Sequence, residues 1–365
     1  MKITLKFYLL ILFPIFFGSE VYSKASEKPK SIILLIGDGM GVAQVTSAIK
    51  NGVGSNFMRF TNGGLVLTSS SNSWITDSAA SATAISTGVK TYNGAIGMDD
   101  DRNELKLLVD YASEKGLSTG LIATSSITHA TPAAFATHVD ARSKEFEIAL
   151  QLSESEVDVI IGGGKSFFLP ESENGKRKDK RNLLDEMKSK NFTVVSDMED
   201  LVSLDIERTD KVIALLSSEA MGSAKNLSHR LADMTTAAIQ ILKKNKKGFF
   251  LLVEGSQIDW DAHDNDPENM LFELEDFNGA IGVALDYAET SDGVLIIVTA
   301  DHETGGLTLL EGGHGSNGFK ENWSTHGHSG SSTPLLATGA GSELFGGVME
   351  IDELGRRIIS LIKNR

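Results

Sequence analysis

The feature that most constrains the fold is an alternation of short apolar segments with amphipathic segments along the chain. Such an alternation is typical of α/β proteins with a parallel sheet. We therefore predict a large central, mostly parallel sheet with helices on both faces. Strands are predicted at residues 31–36, 118–124, 157–161, 211–216, 249–253, 294–299 and 334–338, and helices at 104–115, 231–244 and 267–288.

Residues 24–365 are predicted to form a single domain. The 365-residue chain is 41% hydrophobic, which suffices for one large core. No repeat or low-complexity linker divides it. The charged segment around residues 165–182 is predicted to be a small surface insertion.

Residues 1–23 have the pattern of a secretory signal peptide. Lys2 and Lys6 form a basic start, and the apolar run at residues 7–17 contains Pro14. This run is too short for a comfortable transmembrane span. We expect an exported protein, periplasmic or secreted, with no stable membrane anchor.

Charge and cysteine content exclude several classes of binding partner, metal site and nucleophile. The formal net charge of −15 argues against nucleic acid or an anionic membrane as the main partner. Because the chain has no cysteine, disulfides, thiolate zinc sites and a cysteine nucleophile are excluded. Any zinc would have to be held by histidine and carboxylate side chains.

Acidic and histidine side chains follow several predicted strands. The carboxyl ends of strands in an open α/β sheet meet at one edge, so these side chains are expected to converge there. Imidazole and carboxylate suit zinc, and a carboxylate-rich side suits magnesium. The side chains concerned are Asp38, Glu254, Asp259, His263, Asp301 and His302.

Ser78 is the candidate nucleophile. A turn-prone run at residues 69–74 precedes it and small residues at helical spacing follow, so it is predicted to lie in the first turn of a helix. The free N–H groups and positive dipole end there favour an anionic substrate. A serine hydroxyl needs a base or metal to activate it. The alternative interpretation is an ordinary Asp/Ser N-cap.

Six short motifs along the chain, taken together, resemble those of a known protein family. They are the segments 36–41 (IGDGMG), 77–84 (DSAASATA), 129–133 (HATPA) with Arg142, 254–263, 299–306 (TADHETGG) and 328–330 (HSG). On these motifs the chain, from about residue 32 to its end, resembles the bacterial alkaline phosphatases. The resemblance implies an alkaline phosphatase-like fold, a homodimer, and hydrolysis of phosphate monoesters at alkaline pH through a phosphoserine intermediate.

The resemblance also implies two Zn²⁺ ions and one Mg²⁺ ion. Arg142 would bind two phosphoryl oxygens with two N–H groups, a geometry that lysine cannot copy. The implied ligands are Asp259, His263 and His328 for the first zinc; Asp38, Asp301 and His302, together with Ser78, for the second; and Asp38, Thr131 and Glu254 for the magnesium.

Two residues in the substrate region depart from the pattern of other members. His129 stands where some members have aspartate near the magnesium, which leaves the metal preference of the third site open. Trp260 stands where others carry lysine or histidine that touches phosphate through water. We therefore expect weaker retention of product phosphate.

The segment between His302 and His328 is short, which predicts a reduced accessory crown around residues 303–327. His326 is an alternative metal ligand to His328. The preferred ligand is His328, because only His328 precedes the Ser-Gly pair that resembles the family motif.

Two other functions stay open at this point. One is a phosphodiesterase or sulfatase of the same superfamily, although those relatives usually lack the combination of Thr131, Glu254 and Arg142. The other is a non-enzymatic protein that binds metal or phosphate on a decayed site. A decayed site would have lost a ligand, whereas every expected position is filled here.

Overall fold

The computed structural model describes residues 28–227, 230–311 and 319–365. The predicted signal peptide at residues 1–23 lies outside the described residues. Within these ranges, no helix combines the length and the apolar character that crossing a membrane requires.

The strands of the described residues are β1 (Ser31–Gly37), β2 (Asn62–Leu67), β3 (Ser118–Ser126), β4 (Val159–Gly163), β5 (Thr193–Val195), β6 (Val212–Leu215), β7 (Phe249–Gly255), β8 (Val294–Thr299), β9 (Glu303–Thr304), β10 (Leu307–Leu310), β11 (Lys320–Trp323), β12 (His328–Ser329), β13 (Thr333–Gly339) and β14 (Gly347–Glu350).

The α-helices of the same ranges are α1 (Val42–Lys50), α2 (Ser78–Thr87), α3 (Leu108–Glu114), α4 (Ala130–Ala133), α5 (Glu145–Glu154), α6 (Leu183–Ser189), α7 (Met198–Val202), α8 (Arg230–Leu242), α9 (Gln257–His263), α10 (Pro267–Glu289) and α11 (Ile351–Lys363).

One ten-stranded sheet organises the chain, in the order β14-β2-β13-β8-β1-β7-β3-β4-β6-β5. Its pairings are parallel except for those of β13, which runs antiparallel to β8 and β2. The central strand β1 is buried along its whole length. The predicted large, mostly parallel sheet is confirmed.

Helices cover both faces of the sheet, because alternate residues of β1 enter two different cores. Ile32, Leu34 and Ile36 pack into a core that also contains residues of α2 and α11. Ile33 and Leu35 pack into a second core with residues of α8 and α10. Successive side chains of a strand point to opposite faces, and both faces of β1 are buried. This explains why the strand has an unbroken run of apolar residues.

The helix predicted at residues 104–115 is wrong in its first third, because α3 begins only at Leu108. The preceding residues are extended instead: Met98 pairs with Glu104 in an isolated β-bridge, and Leu105 donates its N–H to the carbonyl of Gly97. The Asp110 carboxylate accepts the N–H of Leu107 at 2.8 Å, which fixes the helix start there.

The single domain and its small insertion stay predictions. Residues 165–182 contain two short 3₁₀ turns, Lys165–Phe167 and Glu171–Glu173. Arg177 is only 4% exposed, and its guanidinium donates to the carbonyls of Phe146 and Phe167. This segment is therefore pinned to the main body by a buried cation.

Candidate active site

Most of the predicted site lies at the carboxyl ends of four adjacent strands, β8, β1, β7 and β3. Asp38 follows β1 and Glu254 lies near the end of β7. Asp301 and His302 follow β8 directly. Ile36 of β1 lies opposite Glu254 on one side and Thr299 on the other, so the parallel register brings the strand ends level. Side chains distant in sequence thereby meet at one edge.

Three groups of side chains could each hold a metal ion. Within each group, one ligand atom per residue lies within 4.8 Å of the others. The groups are Asp259, His302 and His328; Asp38, Asp301 and His302; and Asp38, His129 and Glu254. His302 belongs to the first two groups and Asp38 to the last two, so the three groups are adjacent.

Unpaired buried oxygen atoms support metal binding here. Asp38 and Glu254 are both fully buried, yet none of their four carboxylate oxygens has a hydrogen-bond partner among the described residues. The same is true of Oδ2 of Asp301 and Oγ1 of Thr131. Leaving such atoms unpaired is costly unless a cation coordinates them. The donor set of carboxylate, hydroxyl and imidazole fits Zn²⁺ and Mg²⁺.

Burial and mutual repulsion also perturb the pKa values of this cluster. Burial raises the pKa of Asp38 well above its usual range, and the carboxylates of Asp301, Asp259 and Glu254 raise it further. Burial raises the pKa of Glu254 to about 8. Burial lowers the pKa of His302 to about 3, with a further contribution from His328. Without a metal, the protein therefore favours the neutral forms of these groups. A bound cation would instead favour the charged form of the carboxylates.

Backbone hydrogen bonds aim two histidine rings at Asp259. Nδ1 of His328 lies 2.8 Å from the carbonyl of Thr76, and Nδ1 of His263 lies 2.5 Å from the carbonyl of His326. A carbonyl can only accept, so each Nδ1 carries the proton and each Nε2 is free to bind a metal. These Nε2 atoms lie 3.7 Å and 3.3 Å from Oδ1 of Asp259.

The ligand group that contains Asp259 and His328 differs in one member from the set that the resemblance implies for the first zinc. His302 joins Asp259 and His328 in that group, and its ring stacks on that of His328 with centroids 3.5 Å apart. His263 lies beside the group, with its ring centroid 5.0 Å from that of His328. The ring of the alternative ligand, His326, instead bonds the backbone carbonyl of His263.

Ser78 begins α2, as predicted, and is 2% exposed. The carboxylate of Asp77 caps this helix by accepting the N–H of Ala80. Oγ of Ser78 lies 3.2 Å from Nε2 of His302. The hydroxyl is therefore at the positive end of a helix dipole and against the ligand groups.

Arg142 is held between the helix cap and His129. One terminal nitrogen donates to Oδ2 of Asp77 at 3.1 Å, and the other lies 3.1 Å from Nε2 of His129. Because Asp77 also caps α2, one carboxylate fixes both the guanidinium and the helix that begins with Ser78. Burial, together with the nearby guanidinium, lowers the pKa of His129 to about 3. His129 is therefore neutral, and its buried Nδ1 has no partner among the described residues.

Trp260 lies on α9 between the two ligand positions Asp259 and His263. Its ring meets that of His129 edge to face, with centroids 6.1 Å apart. The site therefore has an aromatic, uncharged wall on this side.

The sequence interpretation missed two supporting residues. The hydroxyl of Thr304 donates to Oδ1 of Asp259 at 2.5 Å and lies 3.2 Å from Nδ1 of His302. Gly39 has φ +72°, and a Cβ there would lie 2.8 Å from Cα of Asp259. Gly39 directly follows Asp38 and Thr304 follows His302 by two residues, so both lie within the quoted motifs, but local patterns do not reveal what they touch.

Comparisons with known proteins agree on one family. A family model described as alkaline phosphatase matches residues 29–322. Alkaline phosphatase 4 of Bacillus subtilis (strain 168) is 39% identical over 336 residues, which cover 85% of this chain and 69% of that protein.

Solved structures agree as well. The alkaline phosphatase from the Antarctic bacterium TAB5 matches with a TM-score of 0.84 and 40% identity, covering 93% of this chain and 99% of that one. A histidine-to-aspartate variant of the TAB5 protein, solved with magnesium bound in its M3 site, matches with a TM-score of 0.83, the same identity and the same coverage.

Proposed function

The chain belongs to the alkaline phosphatase family, and we propose that its Ser78 is the nucleophile of this metal-dependent phosphomonoesterase. The family and the fold support hydrolysis of phosphate monoesters, a phosphoric monoester hydrolase activity. The observation that carries the assignment of Ser78 is its position. Its Oγ lies at a helix N-terminus, 3.2 Å from Nε2 of His302, a residue that two ligand groups share.

Ser78 attacks phosphorus in line with the leaving oxygen, and a phosphoserine forms as the alcohol departs. A water molecule then attacks the phosphoserine from the side that the alcohol has left, which releases inorganic phosphate and restores the serine. The backbone N–H groups at the start of α2 and the guanidinium of Arg142 stabilise the charge on the remaining phosphoryl oxygens.

We propose two Zn²⁺ ions and one Mg²⁺ ion at the three ligand groups. Bound there, these ions supply Lewis-acid stabilisation of the attacking and leaving oxygens and lower the pKa of water. His263 would complete the zinc site of Asp259 and His328, since its free Nε2 faces Asp259. Thr131 would join Asp38 and Glu254 in the magnesium site, since its buried hydroxyl has no partner in the described part of the chain.

The identity of the nucleophile can be tested directly. Metal-loaded protein is mixed with a chromogenic phosphate monoester, quenched in acid and digested for mass spectrometry. We expect one phosphoryl group on the peptide that contains Ser78. Phosphate on another residue, or none despite rapid turnover, would overturn the assignment.

Replacement of Arg142 by alanine is expected to lower kcat/KM about 100-fold. The substitution removes two charge-assisted hydrogen bonds to the phosphoryl group and frees the carboxylate of Asp77. Steady-state kinetics with the chromogenic ester measure the loss. Arg102→Ala is the control, because Arg102 is 69% exposed and pairs only loosely with Asp140. Equal effects of the two substitutions would exclude a phosphate-binding role for Arg142.

Replacement of Trp260 by lysine is expected to tighten inhibition by inorganic phosphate about tenfold. A lysine in place of Trp260, beside the neutral His129, would add the cation that other members use to hold phosphate. The inhibition constant is compared among the wild type, Trp260→Lys and Trp260→Met, a substitution that removes the ring without adding charge. An unchanged constant in Trp260→Lys would contradict the proposed cause of weak product retention.

Export and dimerisation are further parts of the proposal. The pattern of residues 1–23 supports export to the periplasm or medium, and the family resemblance implies a homodimer. Sequencing of the mature N-terminus tests the first, and analytical ultracentrifugation of the purified protein tests the second. An unprocessed N-terminus or a monomer at assay concentrations would contradict the corresponding part.

A further inference from the structure

A buried carboxylate directly after His302 belongs to none of the three ligand groups. Glu303 is only 3% exposed, yet neither of its oxygens is among the unpaired buried atoms of the site. Its four hydrogen-bond donors are the side-chain amide of Gln44 at 2.9 Å and the N–H of Leu307 at 3.0 Å, both to Oε1, and the N–H of Gly306 at 3.1 Å and the hydroxyl of Ser329, both to Oε2. All four donors are neutral groups of the protein. This carboxylate is therefore used as a hydrogen-bond acceptor and not as a metal ligand.

Strand geometry explains why Glu303 points away from the ligand groups. Successive side chains of a strand point to opposite faces. Oγ1 of Thr304 lies 2.5 Å from Oδ1 of Asp259 and 3.2 Å from Nδ1 of His302, so the side chains on either side of Glu303 meet at the ligand groups. Glu303 reaches the other side, where a Cβ at position 41 would collide with its Cγ. Gly41 leaves the room that the carboxylate needs.

The hydrogen bond from Ser329 joins two segments that carry ligands. Strand β12 consists of His328 and Ser329, and it pairs with β9 through only two residue pairs, His328 with Thr304 and Ser329 with Glu303. A ladder this short is weak by itself. The hydroxyl and the carboxylate add a side-chain contact directly across the second pair, and such cross-strand pairs stabilise a sheet. The contact thereby helps to hold His328 beside His302, whose ring stacks on it with centroids 3.5 Å apart.

Gln44 connects the same carboxylate to the segment that follows Asp38. This residue is fully buried on α1, and its Nε2 donates to Oε1 of Glu303 and to the carbonyl of Thr304, both at 2.9 Å. The N–H of Thr304 in turn donates to the carbonyl of Gly39 at 3.1 Å. One carboxylate therefore ties together the segments that follow β1 and β8 and the segment that precedes β13, and each of these segments carries a ligand residue.

We infer that Glu303 is a positioning residue of the zinc site at Asp259 and His328. Its carboxylate holds Ser329, and thereby keeps the neighbouring ring of His328 in place before the metal binds. The inference rests on the proposed function, because it presupposes zinc at that group. Partners that orient metal ligands in this way typically contribute about 10- to 100-fold to metal affinity.

Two of the four hydrogen bonds serve only the local turn, since Gly306 and Leu307 follow Glu303 closely in the chain. Ser329→Ala leaves these two bonds in place and removes only the contact between the segments. Glu303→Gln affects the whole network, because its amide group would present donor atoms to groups that are themselves donors. The pair of variants therefore separates positioning of His328 from support of the turn.

Zinc affinity tests the inference, measured by titrating zinc out of the holoprotein with a chromogenic chelator. In Ser329→Ala we expect the dissociation constant of one of two zinc ions to rise about tenfold while that of the other stays unchanged, and in Glu303→Gln an effect at least as large. Ser329→Thr keeps the hydroxyl on a residue that strands favour, and should restore the affinity of the wild type. The matched control is Ser324→Ala, which removes a hydroxyl that donates to the carbonyl of Gly306 and should bind zinc like the wild type.

Hydrolysis of the chromogenic ester and thermal unfolding are measured on the same samples. At limiting zinc, Ser329→Ala should lose activity, and at saturating zinc its kcat should return to that of the wild type, because a positioning residue acts through metal occupancy. A kcat that stays low at saturating zinc would contradict this role. A lower melting temperature with unchanged zinc affinity would show that the network supports only the fold.

Unchanged zinc affinity in both Ser329→Ala and Glu303→Gln, or an equal loss in Ser324→Ala, would also overturn the positioning role. In these cases the wild type still binds zinc and hydrolyses the ester, so the proposed function stands. A wild type that binds no zinc and hydrolyses no ester would instead overturn the proposed function and this inference together. The two failures are therefore distinguishable.

Discussion

Replacement of Ser78 by alanine is expected to lower kcat/KM for a chromogenic phosphate monoester by at least about 10³-fold. The substitution removes the hydroxyl that lies at the start of α2 against His302, and a water molecule there would lack its fixed position. Because Ser78 makes no other side-chain hydrogen bond among the described residues, stability should change little. Assays at alkaline pH are combined with thermal unfolding and metal analysis of the same sample.

Ser86→Ala is the matched control for Ser78→Ala. Ser86 is also fully buried on α2, but its Oγ accepts the N–H of Leu108, away from the ligand groups. We expect near-normal kinetics for this variant. If Ser78→Ala retained substantial turnover with normal metal content, another group would have to be the nucleophile.

Removal of metal is expected to abolish activity and to lower the melting temperature by about 10 °C at pH 8. Without a cation, the buried carboxylates of Asp38, Glu254 and Asp301 repel one another in a site with few donors. Metal binding relieves this repulsion, so its free energy becomes part of the folding free energy. Chelator treatment followed by return of zinc and magnesium measures both effects.

The destabilisation of the metal-free protein should depend on pH. Burial raises the pKa of Glu254 from its ordinary 4.5 to about 8, so between these values the native state holds a proton that the unfolded state releases. The native state therefore binds more protons, and the free energy of unfolding falls as pH rises from 4.5 to 8. Burial also raises the pKa of Asp38 and that of Asp301, so both carboxyls contribute to the pH dependence with the same sign.

Unfolding is followed from pH 5 to pH 8.5, with and without chelator, in wild type and Glu254→Gln. We expect the gap between metal-loaded and metal-free wild type to widen with pH. The variant should show a smaller slope when metal-free, since Gln cannot ionise. Parallel curves for the loaded and stripped wild type would contradict the proposed coordination by these carboxylates.

Local sequence patterns predicted most of the fold. The strand at 294–299 matches β8 residue for residue, and the helix at 267–288 ends within one residue of α10. These segments are long or uniformly buried, so periodicity alone identifies them. The last two strands on one side of the sheet, β2 and the edge strand β14, were not predicted. Asn62, Gly63 and Gly64 are poor strand formers, and β2 is held in the sheet by its pairing with β13 and β14.

The residue types of the site were also present in the sequence. Acidic and histidine residues after strands, in the order of a known family, indicated a metal-dependent hydrolase before any geometry. The parallel register then explains why they meet, since strands that end level bring residues more than 200 positions apart to one edge.

Only the tertiary structure decided how the side chains share their roles. His302 lies between two ligand groups, Arg142 is held by the cap of α2, and Thr304 orients Asp259. The sequence determined the local structure and the chemical groups, because these depend on neighbours along the chain. Which groups touch depends on packing between distant segments, and that only the folded chain decides.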